Sequence, residues 1–144
     1  MPVIHASCVE LMGTGLLICG KSGTGKSDLC LRLIDLGARL VADDQTLIEN
    51  IDGRLTALCP DPLRGLLEIR GIGIVHMPFI PQTEIHLKLN LQTQGKTDRM
   101  PIPETEAING TEIPVFRLNA FEASAALKVK TYIQILNGQK KVIR

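Results

Sequence analysis

Eight consecutive residues, Gly20-Lys21-Ser22-Gly23-Thr24-Gly25-Lys26-Ser27, constrain this chain more than any other stretch. They match GxxxxGK[ST] at every specified position. They lie between the apolar run Leu16 to Cys19 and a segment with apolar residues at helical spacing, Leu29, Leu33 and Leu36, widened by Cys30 and Ile34. A strand therefore enters the loop and a helix leaves it. Glycines let successive backbone N–H groups converge on a phosphate, and the helix N-terminus adds the positive end of its dipole. Lys26 would bridge the outer phosphates and the Ser27 hydroxyl would ligate Mg²⁺. A Gly-rich structural turn would not require Lys then Ser at its end. The pattern predicts a P-loop that binds a nucleoside triphosphate through all eight residues.

The rest of the chain is punctuated by Gly and Pro. Val3 to Met12 is suited to a strand and Gly13-Thr14-Gly15 to a reversal. Gly37 supplies a helix stop. Arg39 to Ala42 is a short extended run ending in Asp43-Asp44, and a hairpin follows: Thr46 to Ile51, the turn Asp52-Gly53, then Arg54 to Leu58. Ile85 to Leu91 alternates as a half-buried strand. Residues 92 to 105 are polar and Pro-punctuated, which predicts a mobile loop. Asn109-Gly110 turns the chain into a strand over Glu112 to Phe116. Asn119 followed by Glu122 has the form of a capping box, opening a helix with Phe121, Ala125, Val129 and Tyr132 on one face. The expected fold is α/β, a P-loop domain with a mixed central sheet, and the 144 residues suit one domain, 1–144.

Composition narrows the partners. A net charge of +1 offers no field for nucleic acid or anionic lipid, and 3% aromatic content without Trp offers little for base stacking along a strand. Cys8, Cys19, Cys30 and Cys59 form no CxxC pair and read as buried thiols, which suits a reducing compartment. No apolar run reaches the ~20 residues that cross a bilayer, and the N-terminus lacks the pattern of a signal peptide. A cytoplasmic protein is expected.

Chemistry beyond the loop needs acids and bases. Asp43 and Asp44 follow Ser27 by 16 and 17 residues and close the next strand. In a parallel arrangement of adjacent strands they would face the loop, one carboxylate holding metal through water and the other handling a proton. A solvated pair at a strand end is the alternative. Leu66 to Ile74 is interrupted by Glu68, Arg70, Gly71 and Gly73, more like a site than a core, although Glu68 and Arg70 could simply pair on a strand edge. His5, alone between apolar neighbours, reads as structural on the residues themselves, as do His76 and His86. Arg99, in a polar loop, reads as a solvated charge.

Several of these pieces together resemble bacterial HPr kinase/phosphorylase. They are His5, 22 residues ahead of Ser27, the P-loop, Arg39-Leu40-Val41-Ala42-Asp43-Asp44, and Leu67-Glu68-Ile69-Arg70-Gly71-Ile72-Gly73-Ile74. The resemblance implies a phosphoenolpyruvate-carboxykinase-like nucleotide site and two opposed activities. One is ATP- and Mg²⁺-dependent phosphorylation of a serine on the phosphocarrier HPr, and the other is its phosphate-driven dephosphorylation, giving pyrophosphate. It also implies roles: Lys26 on the outer phosphates; Ser27 with Glu68 around Mg²⁺; Asp44 exchanging the seryl proton, which leaves Asp43 as the carboxylate of the pair that would hold metal; His5 beside the active site; Arg99 neutralising the transferred group. Pro114 to Asn119 would match a segment associated with the reverse reaction. An HPr-like partner and a homo-oligomer, hexameric in the family, are further implications. The length resembles the short, catalytic-domain-only forms of some proteobacteria. Asp28 stands where many relatives carry Glu, and Gln45 where Arg is frequent.

Two other readings use the same loop. A P-loop small-molecule kinase would phosphorylate a metabolite, and a non-catalytic ATP-sensing module would bind nucleotide and keep its function after Asp44→Asn.

Overall fold

Odd- and even-numbered residues of the first strand face two different cores. In a computed structural model, which describes residues 2–93 and 98–143, β1 (Val3–Leu11) sends Val9 and Leu11 toward the helices and Ala6 and Cys8 into a second cluster. That is the period-2 alternation of a strand buried on both sides. β1 turns at Met12 and Gly13, both at positive φ, into β2 (Thr14–Cys19). The reversal thus falls one residue before the expected one. Gly15 belongs to β2 instead, where an added Cβ would lie 1.9 Å from the Glu84 carbonyl of β8 (Gln82–Leu91). Only glycine permits that approach.

The first helix, α1 (Lys26–Asp35), follows β2 through the Gly20–Ser27 loop. It ends as the sequence predicts: Gly37, at φ 106°, donates to Ile34, and Ala38 donates to Leu33. These two bonds satisfy orphan carbonyls of the last turn. β3 (Arg39–Ala42) and the hairpin β4 (Gln45–Ile51) and β5 (Arg54–Leu58) also match expectation.

The sheet order corrects one expectation. β3 is not adjacent to β2; both pair antiparallel with β1, which lies between them. Because β1 runs the opposite way, its beginning comes to the same end of the sheet as the ends of β2 and β3. β1 also pairs with β4, β4 with β5, β5 with β8, and β8 runs parallel to β2. This ring of pairings encloses the second core of Cys8, Leu17, Val41, Ile48, Leu55 and Ile85. The first core lies between the sheet and the helices.

One segment takes a form of its own, and two local readings are revised. Leu66 to His76 forms a separate hairpin, β6 (Leu66–Ile69) and β7 (Gly73–His76). Glu104 and Thr105, expected in the loop, open an edge strand, β9 (Glu104–Ile108), whose exposed residues are held by β10 (Thr111–Leu118) and the ion pairs Arg117–Glu104 and Lys88–Glu106. Residues 94–97 of the expected loop lie outside the described residues. The last helix, α2 (Ala125–Leu136), starts well after Asn119. The Asn119 side chain instead accepts from the Phe121 N–H at 2.9 Å, and Glu122 pairs with Lys128. Arg32 of α1 donates to the carbonyls of Ala120 and Glu122, acceptors that a helix through this turn would need for itself. Among the described residues no helix is long and apolar enough to cross a membrane.

Candidate active site

The odd-numbered face of β1 that packs on α1 continues past the core to Ser7 and His5, and these two residues reach the end of the sheet where β2 and β3 terminate. There a cleft of about 550 Å³ opens, within the range of small-molecule sites. Its walls include Ser22, Gly23, Gly25, Lys26 and Ser27 of the loop, His5, Asp44, Glu68 and Arg70, and Leu31 and Phe121.

The loop is held by its own polar atoms. Lys26, 8% exposed, donates through Nζ to the carbonyls of Gly20 (2.8 Å) and Lys21 (3.1 Å), and the Thr24 hydroxyl donates to Lys21 (2.6 Å). Gly25 sits at φ 91°, and an added Cβ there would lie 3.3 Å from both Ala120 Cβ and a ring carbon of Phe121. Gly25, the residue before α1, offers no side-chain cap, and the first-turn N–H groups of an uncapped helix are a donor set suited to an anion.

Asp43 and Asp44 divide the chemistry. Asp43 Oδ1 accepts from Ser27 Oγ at 2.8 Å and from the buried Ser7 Oγ at 2.9 Å, while its Oδ2 accepts from the Glu68 N–H at 3.3 Å. It thereby ties the loop, β1 and the β6–β7 hairpin together behind the cleft wall. Asp44 points the other way, and its Oδ1 meets His5 Nε2 at 2.5 Å with both side chains more than half exposed. The backbone aims it: Gln45 N–H donates to the Asp43 carbonyl at 2.8 Å around Asp44 at φ 68°, the i to i+2 bond of a γ-turn. Ser7 Oγ also accepts the Asp44 N–H at 3.1 Å. Non-glycine residues seldom hold such a φ, and Asp and Asn tolerate it best.

The structure thus brings together His5, Lys26, Ser27, Asp43, Asp44 and Glu68. Glu68 and Arg70 both line the cleft, and no ion pair joins them. Arg99 stands on an exposed bend and is not part of the cleft wall. Among the described residues no group of three or more His, Cys, Asp and Glu could hold a metal by itself. Of the three residues expected around Mg²⁺, Ser27 and Glu68 line the cleft, and Asp43 stands behind it, accepting from Ser27 Oγ and the Glu68 N–H. Two residues escaped the sequence reading. Ser7 is two positions from His5 and so shares its face, a signal the strand period carried. Phe121 was read as part of a helix face and instead borders the loop.

Behind the cleft lie Cys8 and Cys30, both wholly buried, and burial pushes their thiols up. They behave as small apolar side chains.

The chain is 43% identical over 103 residues to HPr kinase/phosphorylase of Clostridium novyi, a match covering 67% of this chain and 33% of the relative. It is 36% identical over 112 residues to that of Bordetella pertussis, covering 70% and 36%. The chain therefore matches about a third of the length of these curated relatives. The Hpr(Ser) kinase/phosphatase structure from Coxiella burnetii superposes with a TM-score of 0.84 at 28% identity, over 96% of this chain and 92% of that one. Residues 2–131 match the HPr serine kinase C-terminal domain family, and the chain belongs to that family.

Proposed function

We propose that this domain transfers the γ-phosphoryl group of ATP to a serine of an HPr-like phosphocarrier, and removes it again by attack of inorganic phosphate, releasing pyrophosphate. The observation that carries the reading is the His5–Asp44 pair in the same cleft as Lys26 and Ser27. A seryl hydroxyl is a weak nucleophile at neutral pH, and a carboxylate placed where the hydroxyl arrives accepts its proton as the new bond forms. Asp44 is that carboxylate, and His5 orients it through Oδ1. In the reverse direction the protonated Asp44 returns the proton to the seryl oxygen.

Lys26 and the N–H groups at the start of α1 receive the phosphates and stabilise charge on the transferring group. Ser27, Asp43 and Glu68 would hold Mg²⁺, which when bound neutralises charge on the phosphate oxygens. Arg99 would approach the transferred group only once a substrate draws its segment in. The phosphoenolpyruvate-carboxykinase-like character of the site, a cytoplasmic location and a homo-oligomeric assembly follow from the family resemblance. Leu127 and Leu136, exposed on α2, give self-association an apolar surface.

The test is transfer of label from γ-³²P-ATP to purified HPr in the presence of Mg²⁺, followed by addition of phosphate. Expected are a phosphoserine on HPr and its loss with formation of labelled pyrophosphate. Absence of transfer to HPr, with transfer to a small metabolite, would replace this reading with a metabolite kinase.

A further inference from the structure

Phe121 is 60% exposed, yet the turn that carries it is fixed at nearly every peptide group. The Phe121 N–H donates to Asn119 Oδ1 at 2.9 Å and the Glu122 N–H to the Asn119 carbonyl at 3.2 Å. The carbonyls on either side of Phe121, those of Ala120 and Glu122, both accept from the Arg32 guanidinium. Ala120 is fully buried against the first core. A turn held this firmly presents its one large apolar side chain to the cleft, where solvent exposure gives it no stabilising role of its own.

The cleft wall combines His5, Asp44, Glu68 and Arg70 with Leu31, Ile69 and Phe121. Phe121 stands beside the phosphate loop, where a Cβ added to Gly25 would lie 3.3 Å from a carbon of its ring. A nucleotide whose phosphates rest on Ser22 to Ser27 must lay its base against the wall beside the loop. Among the described residues Phe121 is the one phenyl ring of that wall, and an aromatic ring face stacks on any base. We infer that Phe121 is the platform for the nucleotide base and that Arg32, which never touches the ligand, is a positioning residue that holds the platform beside the phosphate loop. The inference deepens the proposed ATP site and rests on it.

The chain has no tryptophan, so Phe121→Trp creates a single fluorescent reporter at the platform. Saturating Mg-ATP is expected to quench its emission, and Mg-tripolyphosphate, which has no base, to leave it unchanged. In titration calorimetry Phe121→Ala should weaken ATP about tenfold, the scale of one lost stacking contact, with tripolyphosphate affinity unaltered. Arg32→Lys, which keeps the charge and loses the fork, should weaken ATP in the same selective way. Equal weakening of ATP and tripolyphosphate by Phe121→Ala, or no weakening of either, overturns the platform while leaving the phosphate site in place. Wild-type protein that binds neither compound, or a Lys26→Ala variant that binds both as tightly as wild type, overturns the underlying nucleotide site as well.

Discussion

Ser27 Oγ and Asp43 Oδ1 stand 2.8 Å apart, so the last residue of the phosphate loop is bonded to the residue that follows β3, across the intervening strand β1. The same oxygen accepts from Ser7 on that strand, and the other carboxylate oxygen accepts from the β6–β7 hairpin. Asp43 is thus a joint between four elements before it is anything to a metal. Asp43→Asn replaces one acceptor oxygen by an NH₂ group and leaves at least one bond unmade, at a cost of about 1–3 kcal/mol. Thermal unfolding of Asp43→Asn should come several degrees below wild type, and nucleotide affinity should recover in part at high Mg²⁺. An unchanged melting temperature would mean these bonds carry no stability.

The buried thiols give a test of the floor beneath the cleft. Burial raises all four cysteines above the ordinary thiol range, so little thiolate is present at pH 8. Ellman's reagent should find almost no fast-reacting thiol in the native protein and all four after denaturation. Rapid native modification of Cys30 would mean that the packing of α1 on β1 opens readily.

How far the sequence carries depends on the range of the forces involved. The loop, α1 with its Gly37 stop, and the β4–β5 hairpin are local, and each is written in consecutive residues. The position of β1 between β2 and β3 is a non-local pairing that no window of sequence contains, so adjacency of the Asp pair to the loop strand was the natural but incorrect expectation. The start of β9, Glu104 and Thr105, reads as loop because four of the strand's five residues face solvent, and its strand geometry comes from β10 and two ion pairs. The start of α2 is displaced by Arg32, 88 residues from the carbonyl of Ala120 that it occupies. Of the site, the motif residues were legible by pattern, whereas Ser7 and Phe121 matter only through what folding places beside them.

Far from the cleft, Glu10 provides a pH-dependent contribution with a definite sign. Its carboxylate is held below the usual range first by the hydrogen bond from Arg39, at 2.5 Å, and then by that from Thr83, with partial burial opposing. A depressed folded pKa stabilises fully above the unfolded value of about 4.3 and loses that stabilisation as pH falls through the folded value. Glu10→Gln should therefore cost roughly 0.5 kcal/mol at pH 7, the scale of a surface pair, and the gap to wild type should shrink as pH falls below the unfolded value of about 4.3. Thermal melts at pH 7 and along an acid series check this, and a gap that persists undiminished in acid would assign the loss to packing.

Asp44 is where the proposed chemistry is most exposed to test, and its backbone makes the test clean. At φ 68° an alanine would be strained, whereas asparagine tolerates that region nearly as well as aspartate. Asp44→Asn therefore preserves the γ-turn, and its half-exposed side chain leaves no buried charge behind. The change removes the proton acceptor and keeps a polar group against His5. Acid–base assistance is commonly worth about 10²–10⁴ in rate. Asp44→Asn is thus expected to slow phosphorylation of HPr and its phosphate-driven reversal together, by roughly a hundredfold or more, with ATP affinity and melting temperature unchanged. Since His5 acts only through the Asp44 carboxylate, His5→Gln should cost less, and the double variant should be no slower than Asp44→Asn alone. Independent, multiplying losses would show that His5 contacts the reacting groups itself. Retention of both activities by Asp44→Asn would remove this carboxylate from the reaction and leave the His5–Asp44 contact as a structural pair at the mouth of the cleft.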